Sequence, residues 1–208
     1  MTQAQQSEEV QPVSDEALLC LVEQADESAF EELVRRYRDR IYRLTMGMLK
    51  NNAEAEEACQ EIFLTVFKKA YTFKGKSSAS TWIYRVATNT ALMRLRRQTL
   101  KPQIAVEDGW LGFEEGYQAP LENVAKWPRS PEKEYLNAEI RALIENAAAE
   151  LPEKYRVVLL LKDVEGMSLD DISQTLGLTV ASVKSRLHRS RLYIRQQLDG
   201  YFKEHPHG

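Results

Sequence analysis

Residues 168–191 read SLDDISQTLGLTVASVKSRLHRSR, and the fold turns on how that stretch is parsed. Ser168 followed by Leu169, Asp170 and Asp171 is a helix start: a hydroxyl to cap free backbone amides, then carboxylates where the helix dipole favours them. Gly177 stops that helix after two turns, because glycine takes positive φ without a Cβ clash. Thr179 caps a second helix that runs to about Asp199. Two short helices joined at Gly177-Leu178-Thr179 spell a helix-turn-helix. Ile172, Leu176, Leu178 and Val183 fall where the two helices pack on each other. Ser182, Lys184, Ser185, Arg186, His188, Arg189 and Arg191 are left on other faces. A helix-turn-helix sets the N-terminal part of its second helix in the major groove, where Arg or Lys reads guanine and Ser reaches base or phosphate. The competing reading, a structural bundle with a solvated basic helix, fits less well, because the cations cluster on one helix with only Asp199 against them.

Working outward, Pro152 opens a helix to Val164 whose run Val157-Val158-Leu159-Leu160-Leu161 is expected to be buried and which Gly166 stops. Ser130-Pro131 is an N-cap with proline at the first helical position, for a helix to about Glu150. Residues 15–100 are helical almost throughout: Phe30, Leu33, Val34, Tyr37, Ile41 and Leu44 recur at threes and fours. Lys50, Asn51 and Asn52 break that run, with Asn52 placed to cap the next helix. Lys74 to Ser80 is a Gly/Ser/Lys loop before a helix from about Thr81 to Leu100. Sheet is not supported. The expected fold is all-α: two small helical domains, residues 14–100 and 131–200, joined by an acidic flexible linker at 101–130. A 1–13 N-terminal tail and a 201–208 C-terminal tail flank them.

The chain has 208 residues, 43% of them hydrophobic, enough for one ordinary core or two small ones. Its net charge is -3 and its pI about 5.8. That argues against holding DNA unaided, since nonspecific affinity comes chiefly from neutralising phosphates. The average hides a layout. From Lys68 to Lys101 nine basic residues run without an acidic one, whereas Pro102 to Val124 carries Glu107, Asp108, Glu114, Glu115 and Glu122 and no Lys or Arg. Trp110, Phe113, Tyr117 and Trp127 lie in or beside that acidic stretch, fitting either a partner's groove or packing on the chain's own domains. Cys20 and Cys59 sit in helical apolar patterns and read as two small buried hydrophobes, not as a metal site or disulfide. No apolar run is long enough to span a bilayer and no signal core opens the chain, so a cytoplasmic protein without membrane insertion is expected. No phosphate loop, Ser/His/Asp grouping or cofactor motif stands out, so an enzyme is not expected and no cofactor or metal is assigned.

Two further constellations carry chemistry. Trp82, Tyr84 and Phe73 lie among Lys and Arg before and within the Thr81 helix, a mixture suited to unstacked bases, with rings to stack and cations to follow the backbone. Trp82, Ile83, Val86 and Ala87 equally make a core stripe. Glu54-Ala55-Glu56-Glu57-Ala58-Cys59-Gln60-Glu61-Ile62-Phe63 is either a solvated acidic face or a docking surface for a basic partner helix.

These blocks resemble the extracytoplasmic-function sigma factors of the sigma-70 family. Region 2 is matched by Phe30-Glu31-Glu32-Leu33 with Arg36-Tyr37, by Ala55-Glu56-Glu57 with Gln60-Glu61-Ile62-Phe63-Leu64, and by Ser80-Thr81-Trp82-Ile83-Tyr84-Arg85-Val86-Ala87 with Asn89 and Arg96-Arg97. Region 4 is matched by Leu151-Pro152-Glu153-Lys154-Tyr155-Arg156, Glu165-Gly166-Met167-Ser168, Asp171-Ile172 and Val183 to Arg191. The resemblance implies a subunit that acts bound to core RNA polymerase on promoter DNA, is monomeric when free, and is controlled by an anti-sigma factor. It implies that Glu54, Glu57, Gln60, Glu61 and Phe63 dock on the β′ clamp helices, and that the apolar face of residues 136–161 meets the β flap. Lys74, Lys76, Ser80, Trp82, Arg85, Asn89, Arg96 and Arg97 would serve the −10 element. Ser182, Lys184, Ser185, Arg186, His188 and Arg189 would serve the −35 element. The acidic linker would thread near the active-site and RNA-exit channels. Two departures stand out: Met93 where many members carry Asp, and Ser173 where helix-turn-helix units usually place Ala.

Overall fold

The computed structural model describes residues 13–98 and 132–204, and every regular element among them is helical. Helix α1 (Asp15–Glu23) is capped by Ser14, whose Oγ accepts the Ala17 N–H at 3.2 Å. Helix α2 (Glu27–Leu49) is capped by Asp26. The stripe Leu33, Tyr37, Ile41, Leu44 and Met48 is buried along its whole length, as spacing by threes and fours requires. Lys50 ends α2 in the left-handed region, φ 59°. The cap of α3 (Asn52–Lys69) is Asn51, accepting from Glu54 N–H at 3.1 Å, and not Asn52 as the sequence suggested. Asn52 is already helical, and its side-chain oxygen accepts from the Tyr42 hydroxyl. After a 3₁₀ turn at Ala70–Thr72 and the lysine loop comes α4 (Ala79–Gln98).

The second unit begins with α5 (Glu132–Glu150) and α6 (Glu153–Leu159). The sequence reading carries α6 unbroken to Val164. Instead it widens to a π turn at Leu160–Val164, where the Glu165 N–H reaches back to the Leu160 carbonyl at 3.0 Å. Then follow α7 (Leu169–Leu176) and α8 (Val180–Glu204), which continues past the expected end near Asp199. The expected cap at Ser130-Pro131, the 101–130 linker and all but the last residue of the N-terminal tail lie outside the described residues. Val157 to Leu161 are buried as expected. The apolar face of residues 136–161, expected at the β flap, includes these buried side chains and, on α5, Leu143 and Ile144, which are half-buried. Cys59 is buried but Cys20 is exposed. The buried positions of α1 are Leu18, Leu19 and Val22, and Cys20 lies between them on the other side.

The two units share a seam. Helix α4 lies against α7, and α2 lies against α6 and the π turn. At the centre is Glu165, whose side chain is 0% exposed. It accepts from the Tyr84 hydroxyl and, at 3.1 Å, from Arg40 Nε, with Arg43 Nε at 3.8 Å. The Arg40 guanidinium also stacks over the Tyr37 and Tyr84 rings at 5.8 and 5.4 Å. Burial first, then the Glu165 hydrogen bond, pushes the Tyr84 hydroxyl well above its ordinary range. To one side Thr81 Oγ1 donates to Asp171 at 2.8 Å. To the other, Gly47 lies beneath the Leu160 side chain.

Candidate nucleic-acid interface

The helix-turn-helix is built as its sequence demands. Ser168 Oγ accepts the Asp171 N–H at 3.0 Å, starting α7. Gly177 ends it at φ 65°. Thr179 Oγ1 accepts the Ser182 N–H at 3.1 Å, starting α8. Ile172 and Val183 are fully buried between the helices, with Leu176 and Leu178 packed against them. Ser173 has a use that an alanine lacks: its hydroxyl donates to the Leu178 carbonyl at 2.6 Å and ties α7 to the turn.

Along the first turns of α8, Lys184 and Ser185 are exposed, while Ser182, Arg186, His188 and Arg189 are half-buried. All six stand on the helix segment that enters a major groove in this motif. They are not equally free to act there. Arg189 donates to the Tyr155 hydroxyl of α6 at 3.3 Å. Arg191, left open by the sequence, pairs through both guanidinium nitrogens with Asp163 on the π turn and braces α8 from behind.

The region before and along α4 divides. Lys74 and Lys76 are exposed in a loop that turns at Gly75, φ 67°, while Asn89, Arg96 and Arg97 are exposed along the helix. Ser80 and Arg85 are half-buried, and Arg85 Nε is buried without a hydrogen-bond partner. Trp82 is 9% exposed, its ring meeting Phe73 edge-on at 6.0 Å. In this conformation it belongs to the core stripe. At ~1.5 Å rise per residue, Ser80 and Arg97 stand about 25 Å apart, so these groups form a track and not a pocket.

The acidic helix α3 presents Glu54, Glu57 and Glu61 on one side, and Arg94 of α4 spans all three at 3.3, 3.3 and 2.8 Å. Burial opposes the Arg94 charge, but hydrogen bonds to Glu61 and Glu57 outweigh it and raise its pKa. Gln60 is exposed beside them. Phe63 corrects the expectation of a docking side chain: at 8% exposed it lies in the core beneath the acidic face. Leu64 and Phe67, at 56% and 38%, are the apolar groups this helix does expose. Leu64, one turn beyond the exposed Gln60, was legible as lying off the buried stripe, whereas Phe67 follows the buried Phe63 by one turn and carried no such signal. The pairing of Glu165 with Arg40, and of Arg94 with the acidic face of α3, carried no sequence signal, because each joins helices remote in the chain.

Among the described residues no cluster of His, Cys, Asp and Glu could hold a metal, and no helix is long and apolar enough to cross a membrane.

Comparison with known proteins matches residues 33–100 to Sigma-70 region 2 and residues 141–194 to Sigma-70, region 4. The ECF RNA polymerase sigma factor SigW of Bacillus subtilis is 36% identical over 177 residues, covering 85% of this chain and 92% of SigW. The RNA polymerase sigma-H factor of Pseudomonas aeruginosa is 33% identical over 193 residues, covering 91% and 96%. In fold, the chain is similar to CnrH, solved in complex with the cytosolic domain of CnrY, at a TM-score of 0.63 and 18% identity over 90% of this chain and 99% of that one. It is also similar to RpoE of Bartonella quintana, solved with the anti-sigma factor NepR, at 0.58 and 16% identity over 82% and 96%.

Proposed function

The chain belongs to the extracytoplasmic-function sigma factors of the sigma-70 family, and from that premise we propose that it binds core RNA polymerase and starts transcription at its own promoters. The first unit, residues 14–100, takes the −10 element through the lysine loop and α4. The second, residues 131–200, takes the −35 element through α8. Lys184 and Ser185 supply direct readout at the groove, with Ser182, Arg186, His188 and Arg189 around them. Lys74, Lys76, Ser80, Arg85, Asn89, Arg96 and Arg97 follow the −10 strand. Trp82 supports that track from below in the closed molecule. Glu54, Glu57, Gln60 and Glu61, with the exposed Leu64, dock on the β′ clamp helices, and the α5 face approaches the β flap.

The observation that carries this reading is the pairing of two nucleic-acid-facing units in one acidic chain. Each unit offers too few free cations to hold DNA by charge alone, yet each presents side chains suited to selection. Polymerase supplies the general affinity and this chain supplies the choice. Melting then needs no covalent chemistry: an unpaired base costs a few kcal/mol, which stacking and pocket contacts offset. An anti-sigma protein holds the chain in reserve, as NepR is bound to the similarly folded RpoE. The free chain is a cytoplasmic monomer.

The test is whether the purified chain co-migrates with core polymerase on gel filtration and directs start-site-specific transcription from genomic fragments. Co-migration with discrete starts is the expected result. A dimer that ignores core and binds a palindromic operator would overturn the proposal.

A further inference from the structure

We infer that Met93 is a base-selecting residue, an apolar contact in the middle of the −10 track that favours thymine through its methyl group. This rests on the promoter-reading function just proposed and names one of its specificity determinants.

Helix α4 is almost wholly enclosed. From Ala79 to Arg97 only Asn89, Met93, Arg96 and Arg97 are exposed. They follow one another at intervals of four, three and one, so they line one face of the helix. Half-buried Arg85, one turn before Asn89, extends that face toward the lysine loop. The remaining cation of this stretch, Arg94, is turned to α3 and held by Glu54, Glu57 and Glu61. The outer surface is therefore an amide, a thioether and two guanidiniums, and the three polar members belong to the −10 track.

At ~1.5 Å per residue, Met93 lies ~6 Å along the axis from Asn89 and ~4.5–6 Å from the two arginines. Successive bases rise ~3.4 Å, so a strand followed by Asn89 and the arginines passes over Met93 within two base steps of each. A lone exposed apolar residue is ordinary on a protein surface. Its place in this row is what gives Met93 a use: at 47% exposure it contributes little to the core, and nucleic acid laid along the stripe would cover it.

Chemistry then picks the base. A thioether offers no donor and only a weak acceptor, so it reads the amino and carbonyl groups of base edges poorly. Thymine alone presents an apolar group, its C5-methyl, on the edge that proteins read. A flexible, polarizable side chain moulds to such a group. Aspartate at the same place, as many members of the family carry, would instead accept from the 4-amino group of cytosine. The departure at position 93 thus changes which base is preferred and does not simply delete a contact.

Selection by a methyl is tested one methyl at a time. Start sites are first mapped with the full chain and core polymerase. Each thymine of a mapped −10 element, on either strand, is then replaced singly by deoxyuridine, which keeps every hydrogen-bonding group and loses only the methyl. With the parent chain, one such replacement is expected to lower transcription at limiting protein about fourfold, the worth of burying one methyl group. Met93→Ala should lower transcription from the unmodified promoter by a similar factor and make that position indifferent to uracil. It should melt at the parent's temperature, since the side chain is exposed. Met46→Ala, which removes an exposed methionine on α2, should keep the uracil effect.

Mapped −10 elements without thymine, a parent chain indifferent to every uracil, or a uracil effect that survives Met93→Ala each overturn the assignment. Those results leave the sigma reading standing. Absence of specific starts with the parent chain overturns the sigma reading itself.

Discussion

Lys184 and Arg189 carry the same charge five residues apart on α8, yet the structure gives them different standing. Lys184 is exposed, whereas Arg189 is half-buried and bonded to the Tyr155 hydroxyl. Replacing Lys184 by alanine is expected to cost about 1–3 kcal/mol of −35 recognition with no change in thermal stability. Arg189→Ala is expected to weaken recognition and also lower the melting temperature, since the Tyr155 contact goes with it. Competition by promoters altered at the −35 element, paired with thermal melts, checks both. Glu32 gives a pH signature of its own. Hydrogen bonds from Arg35, then Arg36, lower its pKa from 4.5 to about 2. A depressed carboxylate stabilises the fold above its unfolded value and stops doing so as pH falls through the folded one. Its contribution is therefore complete above 4.5 and lost on the way down to about 2. Glu32→Gln should flatten that part of the acid-stability profile without altering stability's pH dependence near neutrality; an unchanged acid limb would remove Glu32 from the account.

Among elements, α3 separates docking from folding most cleanly. Glu57 is 69% exposed at its side chain and Glu61 39%, the latter holding Arg94 at 2.8 Å. Glu57→Lys should weaken association with core polymerase about tenfold, on the scale of an interfacial charge pair, and lower the melting temperature slightly, because its 3.3 Å pair with Arg94 is lost. Glu61→Lys should weaken association and loosen α4 further, because it removes the 2.8 Å pair and sets lysine against Arg94. Gel-filtration co-migration and melts on the two variants distinguish the roles. At the start of α7, Ser168→Ala should cost ~1 kcal/mol in stability, the usual worth of a cap. Much of this was legible from local pattern: Ser168, Gly177 and Thr179 mark their helix ends, and Leu33 through Leu44 mark a buried stripe. What escaped reading has a common cause. The shift from Asn52 to Asn51 is one residue of register, the π turn inserts one residue without a glycine or proline to announce it, and Phe63 changes sides because the core extends beneath an acidic run. Arg94 and Glu165 find their partners on other helices, and periodicity within a helix holds no record of those.

At the scale of the molecule, two units that read separately in sequence pack onto one another, and one buried apolar cluster runs through both, with the buried Glu165 side chain set at their junction. Gly47 shows what this asks of the chain. A glycine inside a helix costs roughly 0.5–1 kcal/mol against alanine, and α2 bears that cost at the one point where Leu160 overlies it. In genetic terms, positions 47 and 160 are therefore coupled: a library that varies the two together should return small residues at one or the other and no pair of large ones.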